Sequence, residues 1–284
     1  MSKTSFLVTG AGGQLGRALL AAGGDIVGVG HGELPVEDRA AIDACLDRHR
    51  PRFVLHCGAW TDVDGCEADP ARAELVNATG TANLAAACAA RDIGLVYVST
   101  DFVFDGRATT PYVEDAAPAP LSAYGRSKWH GEQALLAHGR ADFYVVRTSW
   151  VFGPGGKNFP KAILNRARSG QPLAVVTDQR GRPTYTPDLA QALLDLCASG
   201  TAGGVYHAAN KGDCTWHEFA VAILAAAGLG DIPVGTMTAA ALARPAARPA
   251  YSVLDTGKLD RAIGRCLPDY RSAIERYLQA EQNT

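Results

Sequence analysis

An open, doubly wound parallel α/β sheet is the fold this sequence predicts, and three observations predict it. A short apolar run at Phe6–Val8 ends in a glycine-rich turn that opens a helical pattern. Strand-like and helix-like segments then alternate as far as Trp150, which means a parallel sheet with helices on both faces. Beyond Trp150 the texture changes to helices separated by Pro and Gly loops, which implies a smaller, mostly helical second domain. The division falls at 1–152 and 153–284, with some later segments returning to the first domain.

Each element follows from local pattern. Phe6, Leu7 and Val8 form the first strand, and Leu15, Ala18, Leu19 and Ala22 recur at helical spacing. Between them Gly10, Gly13 and Gly16 read G-x-x-G-x-x-G, with Gly12 as an extra glycine. Strand, glycine turn and helix in this order open a Rossmann unit. The glycines allow positive φ and close backbone approach, and the helix dipole favours a pyrophosphate. Gly10, Gly13, Gln14, Leu15 and Gly16 are therefore the expected phosphate cradle of a dinucleotide, against the plainer reading of a turn that binds nothing. The domain at 1–152 becomes the NAD(P)-binding one.

Asp25-Ile-Val-Gly-Val-Gly is the second strand. NAD sites usually carry an acid at its tip, for the ribose 2′-hydroxyl. Gly30 and His31 stand there instead, so a 2′-phosphate is not repelled. NADP is favoured over NAD, with His31 at the ribose end. Phe53-Val-Leu-His is strand three, and Cys57, Gly58, Ala59 and Thr61 follow it as expected cofactor contacts. Asp62, Asp64, Glu67 and Asp69 read as a solvated loop at a helix N-terminus rather than a metal site. Ala71–Ala90 reads as one long helix, Leu95-Val-Tyr-Val-Ser as strand four, and Phe143-Tyr-Val-Val-Arg as the strand after the next helix. Ligands of such sheets lie outside the carboxyl ends of the strands, where Ser99-Thr-Asp and Arg147-Thr-Ser-Trp fall.

The helix before that last strand carries Ala-Tyr-Gly-Arg-Ser-Lys. Tyr124 and Lys128 are four apart, which puts a phenol and an ammonium on one helical face. A phenol ionises near pH 10 when unperturbed, and a neighbouring cation moves it toward neutrality. Such a tyrosine gives a proton to a carbonyl oxygen or takes one from an alcohol. Thr100, after strand four, is placed to share that oxygen; a turn cap is its structural alternative.

Composition narrows the remaining classes. With 284 residues the chain buries a substantial core. A net charge of −2 without long charged runs argues against nucleic acid and membrane surfaces as partners. No apolar stretch is long enough to span a bilayer, and the N-terminus leaves no room for a signal peptide. Seven cysteines at irregular spacing, without C-x-x-C, suggest a reduced cytoplasmic protein. The histidines make no metal pattern, and His217-Glu218 lacks the second histidine of H-E-x-x-H.

Taken together, the motifs resemble the extended short-chain dehydrogenase/reductases, and most closely the dTDP-4-dehydrorhamnose reductase family. The specific strings are Ser-Thr-Asp-Phe-Val-Phe-Asp-Gly, Tyr-Gly-Arg-Ser-Lys-Trp-His-Gly-Glu, Arg-Thr-Ser-Trp-Val-Phe-Gly and Asp-Gln-Arg-Gly-Arg-Pro-Thr. The resemblance implies reduction of a 4-keto sugar on a dTDP carrier by NADPH or NADH, with Thr100, Tyr124 and Lys128 catalytic. It implies a sugar site lined by Asp101, Phe102 and Trp150. Arg180, Pro183 and Thr184 would face the diphosphate, for which a guanidinium fork is apt. The segment from 153 to 284 is then mainly the nucleotide-sugar domain.

Two departures from the family stand out. Some members bind magnesium through a glutamate on the first helix, where this chain has Gly16-Arg17-Ala18-Leu19. No magnesium requirement is expected, and the chain is expected to be a monomer or homodimer. Gly30 and Pro35 replace common acids near the second strand's end, which blurs cofactor preference. Two other functions stay open: a 4-keto-reductase for a different dTDP-deoxysugar, and a non-catalytic regulatory subunit of the same fold.

Overall fold

The computed structural model describes residues 5–282. β1 (Phe6–Thr9), α1 (Gln14–Ala21) and β2 (Ile26–Val29) open the chain, followed by α2 (Arg39–His49) and β3 (Phe53–His56). Next come α3 (Val63–Ala68), α4 (Pro70–Ala73), a π-helical turn (Glu74–Thr79), α5 (Gly80–Ala89) and β4 (Gly94–Thr100). A 3₁₀ turn (Asp101–Val103), α6 (Ala123–Leu136) and β5 (Phe143–Thr148) complete the first half.

Six parallel strands form the central sheet, in the order β2-β1-β3-β4-β5-β10, where β10 is Gly204–His207. Successive residues point to opposite faces. Leu7, Val54, Leu95 and Val145 enter the core beneath α2 and α5, while Val8, Leu55, Val96 and Val146 enter the core of the other face. β3 and β5 are buried throughout, as expected of strands covered on both sides.

The second half returns to this sheet more than once. After β6 (Val151–Phe152), α7 (Phe159–Arg168), β7 (Leu173–Val176), β8 (Arg180–Gly181) and β9 (Thr184–Tyr185), α8 (Thr186–Ser199) lays Leu189, Leu193 and Leu196 on the core that holds α1. β10 then pairs with β5, Tyr206 opposite Val146. The remaining elements are β11 (Cys214–Thr215), α9 (Trp216–Ala226), β12 (Val234–Met237), α10 (Gly257–Ile263) and α11 (Tyr270–Gln282). α7, α9 and α11 enclose a third core around Ile163, Phe219, Ile223, Ile274 and Tyr277.

Two elements differ from the sequence reading. α2 was not anticipated, although Asp38 caps it through Ala40 N at 2.9 Å and Ile42, Cys45 and Leu46 form its buried stripe. The long helix expected over Ala71–Ala90 is helical but interrupted by the π turn, which turns Asn77 inward to buried hydrogen bonds. The acidic cluster is structural. Asp62 and Asp69 cap α3 and α4, Glu67 accepts from Ala123 N at 2.8 Å, and Asp64 accepts from Ala246 N. Among the described residues no helix is long and apolar enough to cross a membrane, and no three His, Cys, Asp or Glu side chains gather as a metal centre.

Candidate active site

Parallel register brings the strand ends to one edge. Thr9 pairs with His56, His56 with Tyr97, and Thr100 with Thr148. β2 lies on one side of β1 and the rest of the sheet on the other, so the strand order switches between β1 and β3. Nucleotides bind at such points.

The switch point is built from glycine. Gly10 has φ +65°, and a Cβ there would lie 2.7 Å from Gly58 N. A Cβ on Gly16 would lie 2.7 Å from Ala11 Cα, so α1 can approach the turn only without one. Gly12 is exposed, with nothing within 4 Å of a Cβ position. Gly13 is the N-cap of α1 and gives no side-chain cap, and the first turn carries no acid. The helix start therefore keeps its N–H groups and an unopposed positive dipole end. That fits a pyrophosphate.

The side chains of Gln14 and Leu15 do other work. Gln14 Oε1 accepts from Gly153 N at 3.1 Å and Asn158 Nδ2 at 3.0 Å, tying the second half of the chain to the turn. Leu15 is buried in the core. Both leave only backbone groups for a ligand. His31 is exposed beyond β2, 3.6 Å from the Glu37 carboxylate. Gly58 and Ala59 are half-buried and Thr61 is exposed. Burial pushes the Cys57 thiol up to about 12 against the nearby Lys128 charge, so it is inert at neutral pH.

A buried polar chain braces the floor. Thr9 Oγ1 meets His56 Nδ1 at 2.7 Å and accepts from Gly58 N. His56 Nε2 lies 3.3 Å from Thr81 Oγ1, which donates to Asn77 O. Burial, and then Lys128, hold His56 down to about 3, so it is neutral. The Asn77 amide grips Trp60 N and O at 2.8 and 3.0 Å and donates to Ser127 Oγ. Sequence reasoning gave Asn77 no role. An asparagine inside an alanine-rich helix was the available signal, since it disfavours that position unless its amide has partners.

Thr100, Tyr124 and Lys128 come together on this floor. Ser122 caps α6, which starts the helix one residue before Tyr124. The Thr100 hydroxyl lies beside the Tyr124 phenol, and Phe102 meets the phenol ring edge-on at 5.6 Å. Thr100 Oγ1 donates to Asp101 Oδ1 and accepts from Phe102 N, each at 3.2 Å, so it caps the 3₁₀ turn while facing the phenol. Lys128 Nζ donates to Val98 O at 2.8 Å and lies 4.0 Å from the Tyr97 ring centre.

The electrostatics differ from the sequence expectation. Burial raises the Tyr124 pKa and the neighbouring Thr100 hydroxyl offsets only part of this; Lys128 is not among the groups that shift it. Burial pulls Lys128 down to about 7, against the Glu132 carboxylate. The phenol is therefore protonated at neutral pH, the form a proton donor needs.

Asp101 is buried beside them. Burial lifts its carboxyl to about 6, against the Ser252 and Thr100 hydroxyls. Its Oδ2 and the Thr148 hydroxyl are buried without a hydrogen-bond partner in the described structure. Trp150 has φ +47°, a conformation costly for a bulky residue. Its indole stacks on Trp216 at 3.6 Å and its carbonyl accepts from Thr184 N. Thr184 is buried with an unpartnered hydroxyl, and Pro183 is buried beside it.

Arg180, expected to face a diphosphate, is already engaged. Its guanidinium bonds Asp213 at 2.6 Å and Glu218 at 3.0 Å, and its backbone pairs with Ala250 and Ser252. Arg248 and Arg244 are held by Asp64 at 3.0 and 3.3 Å. Arg182 is the contrast, half-buried with an Nε that has no partner.

Fold and site together define an NAD(P)-dependent oxidoreductase of the short-chain dehydrogenase/reductase type. The family model described as RmlD substrate binding domain matches residues 4–283. A dTDP-4-dehydrorhamnose reductase of Streptomyces griseus is 41% identical over 95% of this chain and 91% of its own length. A probable dTDP-4,6-dihydroxy-2-methyloxan-3-one 4-ketoreductase of Streptomyces antibioticus is 42% identical over 95% and 92%. The structure of a Bacillus anthracis dTDP-4-dehydrorhamnose reductase in complex with NADP superposes with a TM-score of 0.93, at 33% identity over 98% of this chain and 99% of that one. The chain belongs to the dTDP-4-dehydrorhamnose reductase family.

Proposed function

We propose that this chain reduces the 4-keto group of dTDP-4-dehydro-L-rhamnose to the alcohol, giving dTDP-L-rhamnose. The observation that carries the reading is the juxtaposition of the Thr100 hydroxyl and the Tyr124 phenol, with Lys128 buried beside them, at the edge where the glycine turn opens. NADPH supplies the hydride, and the turn of Gly10, Gly12 and Gly13 with the start of α1 would hold its pyrophosphate. Tyr124 gives the proton to the ketone oxygen. Thr100 orients that oxygen and stabilises charge developing on it. Lys128 supplies the local positive charge and reaches the nicotinamide ribose. Asp101, Phe102 and Trp150 line the sugar site. Arg182, whose buried Nε has no hydrogen-bond partner, takes the diphosphate role first expected of Arg180. Uncrosslinked cysteines suit a reducing cytoplasm, with the enzyme as monomer or homodimer.

The Streptomyces antibioticus ketoreductase supports a second reading, the same reduction on another dTDP-linked sugar. One assay separates the two. Purified protein is incubated with dTDP-4-dehydro-L-rhamnose and NADPH, and the product is identified by NMR. dTDP-L-rhamnose at substantial turnover supports the first reading, and no turnover on this sugar contradicts it.

A further inference from the structure

Beneath the trio lies a charged pair that the reaction does not touch. Glu132 and Arg147 are 1% and 3% exposed, with Arg147 Nη2 at 2.7 Å and Nε at 3.0 Å from the carboxylate. A buried ion pair is weak evidence for stability, because desolvation offsets its attraction. Its position is the informative feature.

Tyr124, Lys128 and Glu132 stand at i, i+4 and i+8 on α6, which makes one stripe. That stripe meets three consecutive residues of β4. Lys128 Nζ donates to Val98 O, Glu132 Oε1 accepts from Ser99 Oγ, and the Tyr124 phenol lies beside Thr100. Arg147 is the cross-strand partner of Ser99 and closes the carboxylate from β5. Its other amino group reaches Glu114 O and the neutral His207. We propose that Glu132 is a positioning residue for the reduction: it holds β4 in register with α6, so that Thr100 faces Tyr124 and Lys128 stays tied to Val98 O, and it supplies the buried negative charge beside Lys128. The proposal rests on the roles assigned above to Thr100, Tyr124 and Lys128.

The groups around Lys128 make the charge readable. Cys57 and His56 face it from the β3 side, both uncharged at neutral pH. Tyr97 faces it from β4 as a buried, protonated phenol. On α6 the neighbours are Tyr124 and Glu132. Glu132 is thus the carboxylate that favours the ammonium form. Without it, Lys128 gives up its proton at lower pH.

Three variants test this in the NADPH-dependent assay, with kcat followed against pH. Glu132→Gln keeps the shape and removes the charge, so the alkaline limb should move about one pH unit or more to lower pH. Glu132→Asp keeps the charge but shortens the reach to Ser99. Its limb should stay in place while kcat falls about 10- to 100-fold, the cost of misplacing reacting groups by about an ångström. Glu132→Gln strands the Arg147 charge and could unfold the chain. Glu132→Gln/Arg147→Met removes the pair as a unit and carries the same expected limb shift in a folded protein. A folded Gln or double variant with the parent limb and kcat would overturn the proposal, as would an Asp variant with the parent kcat. Tyr124→Phe runs alongside. If it too keeps full activity, the catalytic reading itself has failed, an outcome distinct from failure of Glu132 alone.

Discussion

The nucleotide edge and the loops proposed to face the sugar nucleotide are made from different materials. At the nucleotide edge the chain contributes backbone. Gly10, Gly13 and Gly16 remove side chains, Gly58 lets the two strands close, and α1 presents its uncapped start. On the sugar side the chain contributes long charged side chains, and most are already paired. Arg180 is held by Asp213 and Glu218, and Arg244 and Arg248 by Asp64. A backbone site is specified by local sequence, because each glycine acts where it stands. A side-chain site is specified by partners far along the chain, so residue type alone does not say which arginine is open to a ligand.

Four experiments sharpen that contrast. The largest effect is expected at the turn. Gly13 has ordinary extended backbone, and a Cβ there would sit 3.2 Å from Gly10 O, a tight but adjustable contact. Gly13→Val should therefore leave a folded circular-dichroism spectrum and abolish NADPH binding in a fluorescence titration. An unchanged titration would return the turn to a purely structural role.

Arg182→Ala should raise KM for the nucleotide sugar by about 10- to 150-fold, the worth of one charge-assisted phosphate contact. KM for NADPH should stay flat, and kcat should change little, since the diphosphate is far from the reacting carbon. Arg180→Ala should mainly lower Tm by freeing Asp213 and Glu218. The reverse pattern, with Arg180 controlling KM and Arg182 silent, would break the assignment.

Acid should destabilise the fold through groups on both sides of the sheet edge. His56 and His207 are each held down to about 3, mostly by burial, from an ordinary value of 6.5. The unfolded chain thus binds more protons between those values, so their contribution is complete above 6.5 and lost as pH falls toward 3. Asp101, lifted to about 6 from 3.8, opposes them within its own window. Tm should fall from pH 7 to pH 4, and His207→Gln should flatten that slope. A slope identical to the parent's would remove His207 from the effect.

The smallest effect is expected at the ion pairs that tie Arg244 and Arg248 to α3. Asp64→Asn weakens the pairs to Arg244 and Arg248, exposed enough to be worth about 0.2–1 kcal/mol each. KM for the nucleotide sugar should rise about 2- to 5-fold at low salt, a difference that added salt screens away. A salt-independent effect of 100-fold would mean that Asp64 touches the substrate.

The same contrast explains what was legible in the sequence. The parallel sheet, the turn and the Tyr124–Lys128 spacing are local patterns, and the structure places those residues together. α2 was missed because its apolar stripe of Ile42, Cys45 and Leu46 is short and interrupted by charges. The return of β10 to the sheet was left unspecified, since Gly204–His207 carries no signal of its partner Tyr144–Arg147. Arg180 was chosen from a motif, but its partners lie 33 and 38 residues away. Lys128 was expected to tune Tyr124 from spacing alone. Burial, which a sequence does not display, dominates the pKa of both.

The central claim, hydride from the nucleotide side and proton from Tyr124, has a direct test. The parent enzyme is given dTDP-4-dehydro-L-rhamnose and NADPH deuterated at the transferred position of the nicotinamide, and the sugar is read by NMR. One deuterium at sugar C4 is expected, with Tyr124→Phe slower by about 10²- to 10⁴-fold while still binding NADPH. Product without deuterium at C4, or a Tyr124→Phe enzyme turning over at the parent rate, would contradict it.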